Sequence, residues 1–163
     1  METAVVGRTT LPGFVDLQVN GFVGVDFTDA ELTAEAFRRA CRELLSRGTA
    51  AFLPTVITAP PERLERNLAL MAEVCDEDEF AGHLLGFHVE GPFISPAPGA
   101  VGAHDVDSVR HPNVELFDRL QAAAGEKIRL VTIAAEMPGA ERFARHVEAS
   151  GVAVSLGHQM AGQ

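Results

Sequence analysis

Short apolar runs that end in a polar residue recur along this chain. Phe14-Val15-Asp16-Leu17-Gln18-Val19-Asn20 ends at Gly21, and Ala50-Ala51-Phe52-Leu53-Pro54 ends at Thr55. Leu84-Leu85-Gly86-Phe87 leads into His88-Val89-Glu90, where Gly91-Pro92 stops it. Arg129 to Ala135 ends at Glu136, and Val152 to Gly157 ends at His158. Runs this short and apolar predict buried strands. Proline supplies no ladder donor and restricts the residue before it, so Pro92 marks a strand end. Between the runs the apolar period lengthens to that of a helix. Leu32, Phe37, Cys41, Leu44 and Leu45 fall on one face, with Thr28 and Glu31 as a capping box and Gly48 as the stop. Pro60 and Pro61 open a second helix carrying Leu64, Leu68 and Met71. Asn113 caps a third with Leu116, Phe117 and Leu120, ended by Gly125, and a fourth runs from about Pro138 to Ser150 with Phe143 and Val147 inward.

Strands separated by crossover helices predict a parallel sheet with right-handed connections. In such folds ligands bind at the carboxyl ends of the strands, where each of these runs delivers a polar residue. Two architectures fit the alternation. One is a five-stranded doubly wound parallel sheet; the other is the first five strand-helix units of a (β/α)8 barrel, which in full needs about 250 residues. Periodicity does not separate them. Gly21-Phe22-Val23-Gly24 matches neither the dinucleotide nor the P-loop pattern. The irregular stretch from Phe93 to Asp107, rich in Pro, Gly and Ala, reads as a lid or binding loop.

Composition narrows the partners. The 163 residues carry a net charge of −10, which argues against nucleic acid and anionic membrane surfaces but leaves room for a phosphorylated small molecule in a locally basic pocket. Cys41 and Cys75, the two cysteines, both fall in helical patterns and read as reduced core thiols. The sequence shows no signal peptide and no bilayer-spanning apolar stretch, so the expected location is the cytoplasm. Glu90 at a buried strand end needs a metal, a cation or a substrate hydrogen bond as partner.

The segments Leu11-Pro12-Gly13-Phe14-Val15-Asp16-Leu17-Gln18-Val19-Asn20-Gly21, His88-Val89-Glu90-Gly91-Pro92-Phe93-Ile94, Gly102-Ala103-His104, Val131-Thr132-Ile133-Ala134-Ala135-Glu136 and Ser155-Leu156-Gly157-His158 occur in this order. Together they resemble the N-acetylglucosamine-6-phosphate deacetylase family of the amidohydrolase superfamily, from Leu11 onward. The Glu-Gly-Pro-Phe-Ile segment is the most specific part. The resemblance implies a metal-dependent (β/α)8 barrel hydrolase, with zinc or iron, that removes acetate from an amino-sugar phosphate. It makes Glu90 and His158 the metal ligands, and Ala103 and His104 the substrate-binding segment. The basic approach to that segment is replaced here by Ala97-Pro98-Gly99-Ala100-Val101. Gln18 and Asn20 stand where many amidohydrolases carry His-x-His for a second metal; amide carbonyls are poor zinc ligands, so the chain resembles the single-metal branch. Gln18, Asn20 and Glu136 are expected to line the pocket, and His88 to be structural.

The resemblance also implies what is not within these residues: a second metal histidine, a catalytic aspartate and most phosphate-binding groups belong on later strands. The expected organisation is an N-terminal extension over 1–12 and a partial barrel over 13–163, whether a fragment, a truncated product or a degenerate paralogue. No catalytic residue is assigned in this chain, which is expected to be inactive alone. Its partners are expected to be the amino-sugar phosphate and either a second copy of itself or a chain that completes the barrel. Another amidohydrolase activity and a non-catalytic half-barrel remain the alternatives.

Overall fold

The computed structural model describes residues 11–162. Five parallel strands form one sheet: β1 (Phe14–Val19), β4 (Thr49–Ile57), β5 (Phe87–Glu90), β6 (Ile128–Ile133) and β7 (Ala153–Leu156). A short hairpin, β2 (Gly21–Phe22) with β3 (Val25–Asp26), follows the first strand. The helices are α1 (Ala34–Leu45), α2 (Pro61–Cys75), α3 (Val114–Ala123) and α4 (Ala140–Ala149), each between successive strands of the sheet. Strand order across the sheet equals order along the chain. A doubly wound sheet must reverse direction at a switch point; this one does not, which excludes that alternative. Right-handed crossovers that all step the same way put every helix on one face, as in a barrel. The sheet is therefore a half-barrel of five strand-helix units. Residues 1–10 of the expected N-terminal extension lie outside the described residues.

The core lies between sheet and helices. Phe52, Val56, Phe87, Val89, Val131 and Ile133 point from the strands toward Phe37, Leu68, Met71, Phe117, Leu120, Phe143 and Val147. The opposite face of the central strands carries buried polar groups, Thr55, His88, Glu90 and Thr132. Alternation along a strand with both faces covered produces this split. The outer strands are barer: Val15 and Leu17 on β1 and Leu156 on β7 are 57–59% exposed. Among the described residues no helix is long and apolar enough to cross a membrane, and Cys41 and Cys75 are unpaired thiols.

Most caps form where the spacing places them. Asn113 Oδ1 accepts the Leu116 N–H at 2.7 Å, and Pro61 occupies the first position of α2, where its missing N–H costs no helical bond. The capping box expected at Thr28 and Glu31 does not form. Thr33 caps α1 instead, accepting the Ala36 N–H, with Leu32 and Phe37 buried on either side of the cap. The Thr28 hydroxyl is used elsewhere, accepting the Ile57 N–H at 2.9 Å.

Pro54 does not end its strand. β4 continues to Ile57, because Pro54 sits opposite a bulge in β1 where Asp16 pairs with Phe52 and Val19 with Pro54. At that bulge, where the ladder is already interrupted and a proline is tolerated, the Val19 N–H turns to the Thr55 hydroxyl at 3.1 Å.

The segment after the hairpin is tied to α2 by a buried amide. Asn67 Nδ2 donates to the carbonyls of Phe27 (3.0 Å) and Asp29 (2.9 Å), and Arg66 donates to those of Ala30 and Leu32. Substituting Asn67→Leu leaves the buried Phe27 carbonyl without this donor, while the Asp29 carbonyl still accepts the Leu32 N–H at 3.2 Å. One such orphan costs about 1–3 kcal/mol, so urea denaturation is expected to show a loss of that size, with faster amide exchange over 21–32.

Candidate functional site

Glu90 ends the central strand and is 7% exposed. Its two oxygens face different partners. Oε2 accepts from Gln18 Nε2 at 2.8 Å and from Asn20 Nδ2 at 3.3 Å, while Oε1 lies 3.2 Å from His158 Nε2. Gln18 and Asn20 are two residues apart at the end of β1, so strand alternation turns both amides to the same side.

His158 follows β7 in a left-handed conformation, φ +50°, which is uncommon for a residue with a side chain. Its carbonyl accepts the Ser95 N–H at 3.0 Å, and its Nδ1 lies 2.9 Å from the Ala100 carbonyl. A carbonyl can only accept, so the Nδ1 proton is fixed there and the neutral ring has its lone pair on Nε2. That lone pair then faces a carboxylate oxygen at 3.2 Å. Two electron-rich atoms at this separation require a cation between them, either a proton or a metal ion. Imidazole nitrogen and carboxylate oxygen suit zinc or iron, and a backbone carbonyl on the far ring nitrogen is the usual way a ligating histidine is oriented. The residues fit a divalent metal.

His104 completes a cluster: one ligand atom each from Glu90, His104 and His158 lies within 4.8 Å of the others. The two imidazole rings are 4.2 Å apart, centre to centre. Its tautomer sets His104 apart. Nδ1 lies 2.8 Å from the Thr58 hydroxyl and accepts the Thr58 main-chain N–H at 3.4 Å. A main-chain N–H can only donate, so in the neutral ring the proton sits on Nε2. Burial and the neighbouring His158 both lower the His104 pKa against the charge of Glu90, which keeps the ring neutral. As placed, His104 offers an N–H rather than a lone pair. The approach of Thr58 also accounts for Gly91 in the Glu90-Gly91-Pro92 sequence. Gly91 has φ +89°, and a Cβ there would lie 2.2 Å from the Thr58 hydroxyl oxygen.

These groups open onto a cleft of about 700 Å³ at the carboxyl ends of the strands. Gln18, Asn20, Glu90, Ala103, His104 and His158 all line it, and so do Phe22, Val25, Asp26 and Ile57. The hairpin residues and Thr58 are absent from the sequence-based assignment. The hairpin is too short for a period-two signal; Gly24 (φ +78°) at its turn is a local cue, whereas Val23 (φ +46°), a β-branched residue, argues against such a turn. Thr58 lies beyond the point where Pro54 suggested a strand end.

One expected pocket residue lies elsewhere. Glu136 does not line the cleft. β6 stops at Ile133, and the turn that follows carries Glu136 outward to accept the Met160 N–H at 2.6 Å. Burial opposes its ionisation, yet main-chain N–H groups, Met160 foremost, hold the carboxyl below its usual range. His88, buried between strands, bridges Thr132 (Nε2, 2.8 Å) and Thr55 (Nδ1, 3.5 Å). Burial pushes its pKa down despite the nearby Glu90 charge. Both ring nitrogens are engaged within the sheet, away from His158.

Residues 9–149 match the Amidohydrolase family. The chain belongs to the amidohydrolase family. It is 37% identical over 158 residues to N-acetylglucosamine-6-phosphate deacetylase of Homo sapiens, covering 95% of this chain and 38% of that protein. The Bacillus subtilis protein of the same name is 34% identical over 91% of this chain and 37% of its own length. Among solved structures, N-acetyl-D-glucosamine-6-phosphate deacetylase from Mycobacterium smegmatis, in a variant bound to N-acetyl-D-glucosamine-6-phosphate, superposes with a TM-score of 0.82 at 32% identity, over 92% of this chain and 37% of that one. The Thermotoga maritima deacetylase gives 0.75 at 28% identity, over 92% of this chain and 38% of that one. This amidohydrolase chain thus spans well under half the length of these relatives.

The Glu90–His158 pair is expected to hold a divalent ion jointly. Metal analysis of the 163-residue chain after zinc loading should show Glu90→Gln and His158→Ala each largely metal-free. Undiminished stoichiometry in both variants contradicts the assignment.

Proposed function

We propose that residues 13–163 are the first five units of a deacetylase barrel, preceded by an extension over 1–12. The barrel hydrolyses the acetamide of N-acetylglucosamine 6-phosphate to acetate and glucosamine 6-phosphate. One observation carries this reading. The lone pairs of Glu90 and His158 and the Nε2–H of His104 converge on one cleft, in a chain 37% identical over nearly its whole length to a protein of that name. Zinc is the ion favoured by a mixed nitrogen and oxygen donor set, with iron the alternative. When bound, such an ion supplies Lewis-acid polarisation of the amide carbonyl.

The chain's own residues do the rest of what this half can do. His104, held by Thr58, donates Nε2–H to a substrate oxygen in the cleft, and Ala103 shapes the wall beside it. A donor placed before the reaction begins loses no reorganisation energy when negative charge develops on that oxygen. Phe22, Val25 and Ile57 form an apolar wall that limits water around the acetamide. Glu90, surrounded by two amides and His158, holds His158 in register. The general base and a further ligand come from strands beyond the fifth, as does closure of the barrel. The open edges of β1 and β7, with Val15, Leu17 and Leu156 exposed, are where those strands or a second copy of the chain would pair. The cytoplasm is the compartment that suits a soluble amino-sugar phosphate.

NMR titration of the zinc-loaded chain with N-acetylglucosamine 6-phosphate tests the reading. Shifts are expected at His104, Ala103 and the hairpin, abolished by His104→Ala. Acetate release should fall at least 10²–10⁴-fold below ordinary enzymes, the usual cost of losing a positioned base. An identical response to glucose 6-phosphate contradicts recognition of the acetamide, and full turnover by the chain alone contradicts a missing base.

A further inference from the structure

Glu136 misses the cleft, yet it reaches the segment that carries His158. Its Oε1 accepts the Met160 N–H at 2.6 Å, two residues beyond the histidine. We propose that Glu136 is a positioning residue for His158: from the turn after β6 it anchors the main chain beyond the histidine and keeps Nε2 aimed at Glu90. This rests on the reading of His158 as a metal ligand.

His158 needs such an anchor. The pairing of β7 with β6 ends at Leu156, and the Gly157 N–H makes one further bond, to the Ile133 carbonyl at 3.0 Å. The backbone then turns left-handed at His158, φ +50°, a conformation that persists when its surroundings over-determine it. Past Gly157 the ladder gives out, and three contacts take over. The Ser95 N–H donates to the His158 carbonyl at 3.0 Å, the Ala135 N–H to Gln159 Oε1 at 3.2 Å, and the Met160 N–H to Glu136 Oε1 at 2.6 Å. The Glu136 bond is the shortest of the three and the one with a charged acceptor, which makes it the strongest.

The base of this anchor is itself fixed. The Ala134 N–H donates to the Phe93 carbonyl at 2.9 Å, the Met137 N–H donates to the Ala134 carbonyl at 3.2 Å, and the Met137 side chain is buried. Glu136 therefore projects from a rigid turn, and its carboxyl sets where residue 160 can lie. If that bond is lost, the backbone at His158 is free to relax from the left-handed region. The imidazole then swings away from the Ala100 carbonyl, which holds the Nδ1 proton at 2.9 Å, and neither ring nitrogen keeps a fixed role.

NMR of the histidine ring nitrogens and zinc calorimetry, both on the full 163-residue chain, test the proposal. Without metal, the unchanged chain should show His158 as the Nδ1–H tautomer. Glu136→Ala should show mixed tautomers and bind zinc about 10-fold more weakly, the lower end of the cost of removing a group that orients a ligand. Its urea midpoint should hold, because Glu136 is exposed. Two conservative variants separate reach from charge. Glu136→Gln keeps an acceptor oxygen at the same length and should restore the tautomer and most of the affinity. Glu136→Asp keeps the charge but withdraws it by one methylene and should behave like Glu136→Ala, so it decides the matter if the alanine variant does not fold. The reverse order, with Asp restoring and Gln failing, overturns the proposal. So do an unaltered tautomer and unaltered zinc affinity in Glu136→Ala and Glu136→Asp while Glu90→Gln loses zinc, a result that leaves the metal reading intact. Equal zinc binding by the unchanged chain and Glu90→Gln, or none by either, overturns both.

Discussion

A carboxylate that is 7% exposed at the end of a central strand loses most of its hydration, at a cost of roughly several kcal/mol. Glu90 meets that cost with charge-assisted hydrogen bonds from two amides and with the cation, a proton or a metal ion, that its second oxygen and His158 require between them. Gln18 and Asn20 reach Glu90 by strand alternation, two residues apart at the end of β1, whereas His158 reaches it from a left-handed backbone. Such a conformation costs of order 1–3 kcal/mol and persists when the surroundings over-determine it. Ser95 and Ala100 fix His158 through hydrogen bonds to its carbonyl and ring, and Asp16 and Thr55 hold the main-chain N–H groups of Gln18 and Val19.

The same economy runs through the Gly91-Pro92 segment. The absence of a side chain at Gly91 admits the Thr58 hydroxyl, Thr58 fixes the His104 tautomer, and the loop from 93 to 104 delivers both His104 and the Ala100 carbonyl that fixes His158. Ligand and donor are thus told apart by which ring nitrogen carries the proton. His158 presents a lone pair and His104 an N–H, although the two rings touch. A half-barrel can hold this arrangement because the groups come from β1, β5 and β7 and from the loops that follow β4 and β5, all within its five strands.

Much of this was legible from spacing. The alternation of short apolar runs with 3.6-residue periods marks all five strands and four helices, and the polar residues at strand ends include Gln18, Asn20, Glu90 and His158. The choice between barrel and doubly wound sheet was not legible in that pattern, because strand order is a property of pairing between distant residues. Pro54 misleads in a single-sequence reading, since its cost disappears opposite a bulge that only the partner strand reveals. Glu136 misleads for the opposite reason: the apolar run continues two residues beyond the ladder, through Ala134 and Ala135, which are small enough to sit in a turn. Thr58 leaves no sequence signal, because its role depends on two contacts made across the fold.

Anomalous diffraction at the zinc absorption edge, from crystals of the zinc-loaded chain, tests whether one divalent ion sits between Glu90 and His158. A single peak is expected about 2.0–2.2 Å from Glu90 Oε1 and His158 Nε2, with Gln18 and Asn20 still bonded to Oε2. A peak on His104 with Glu90 and His158 bonded directly to one another, or no peak in the cleft, would contradict it.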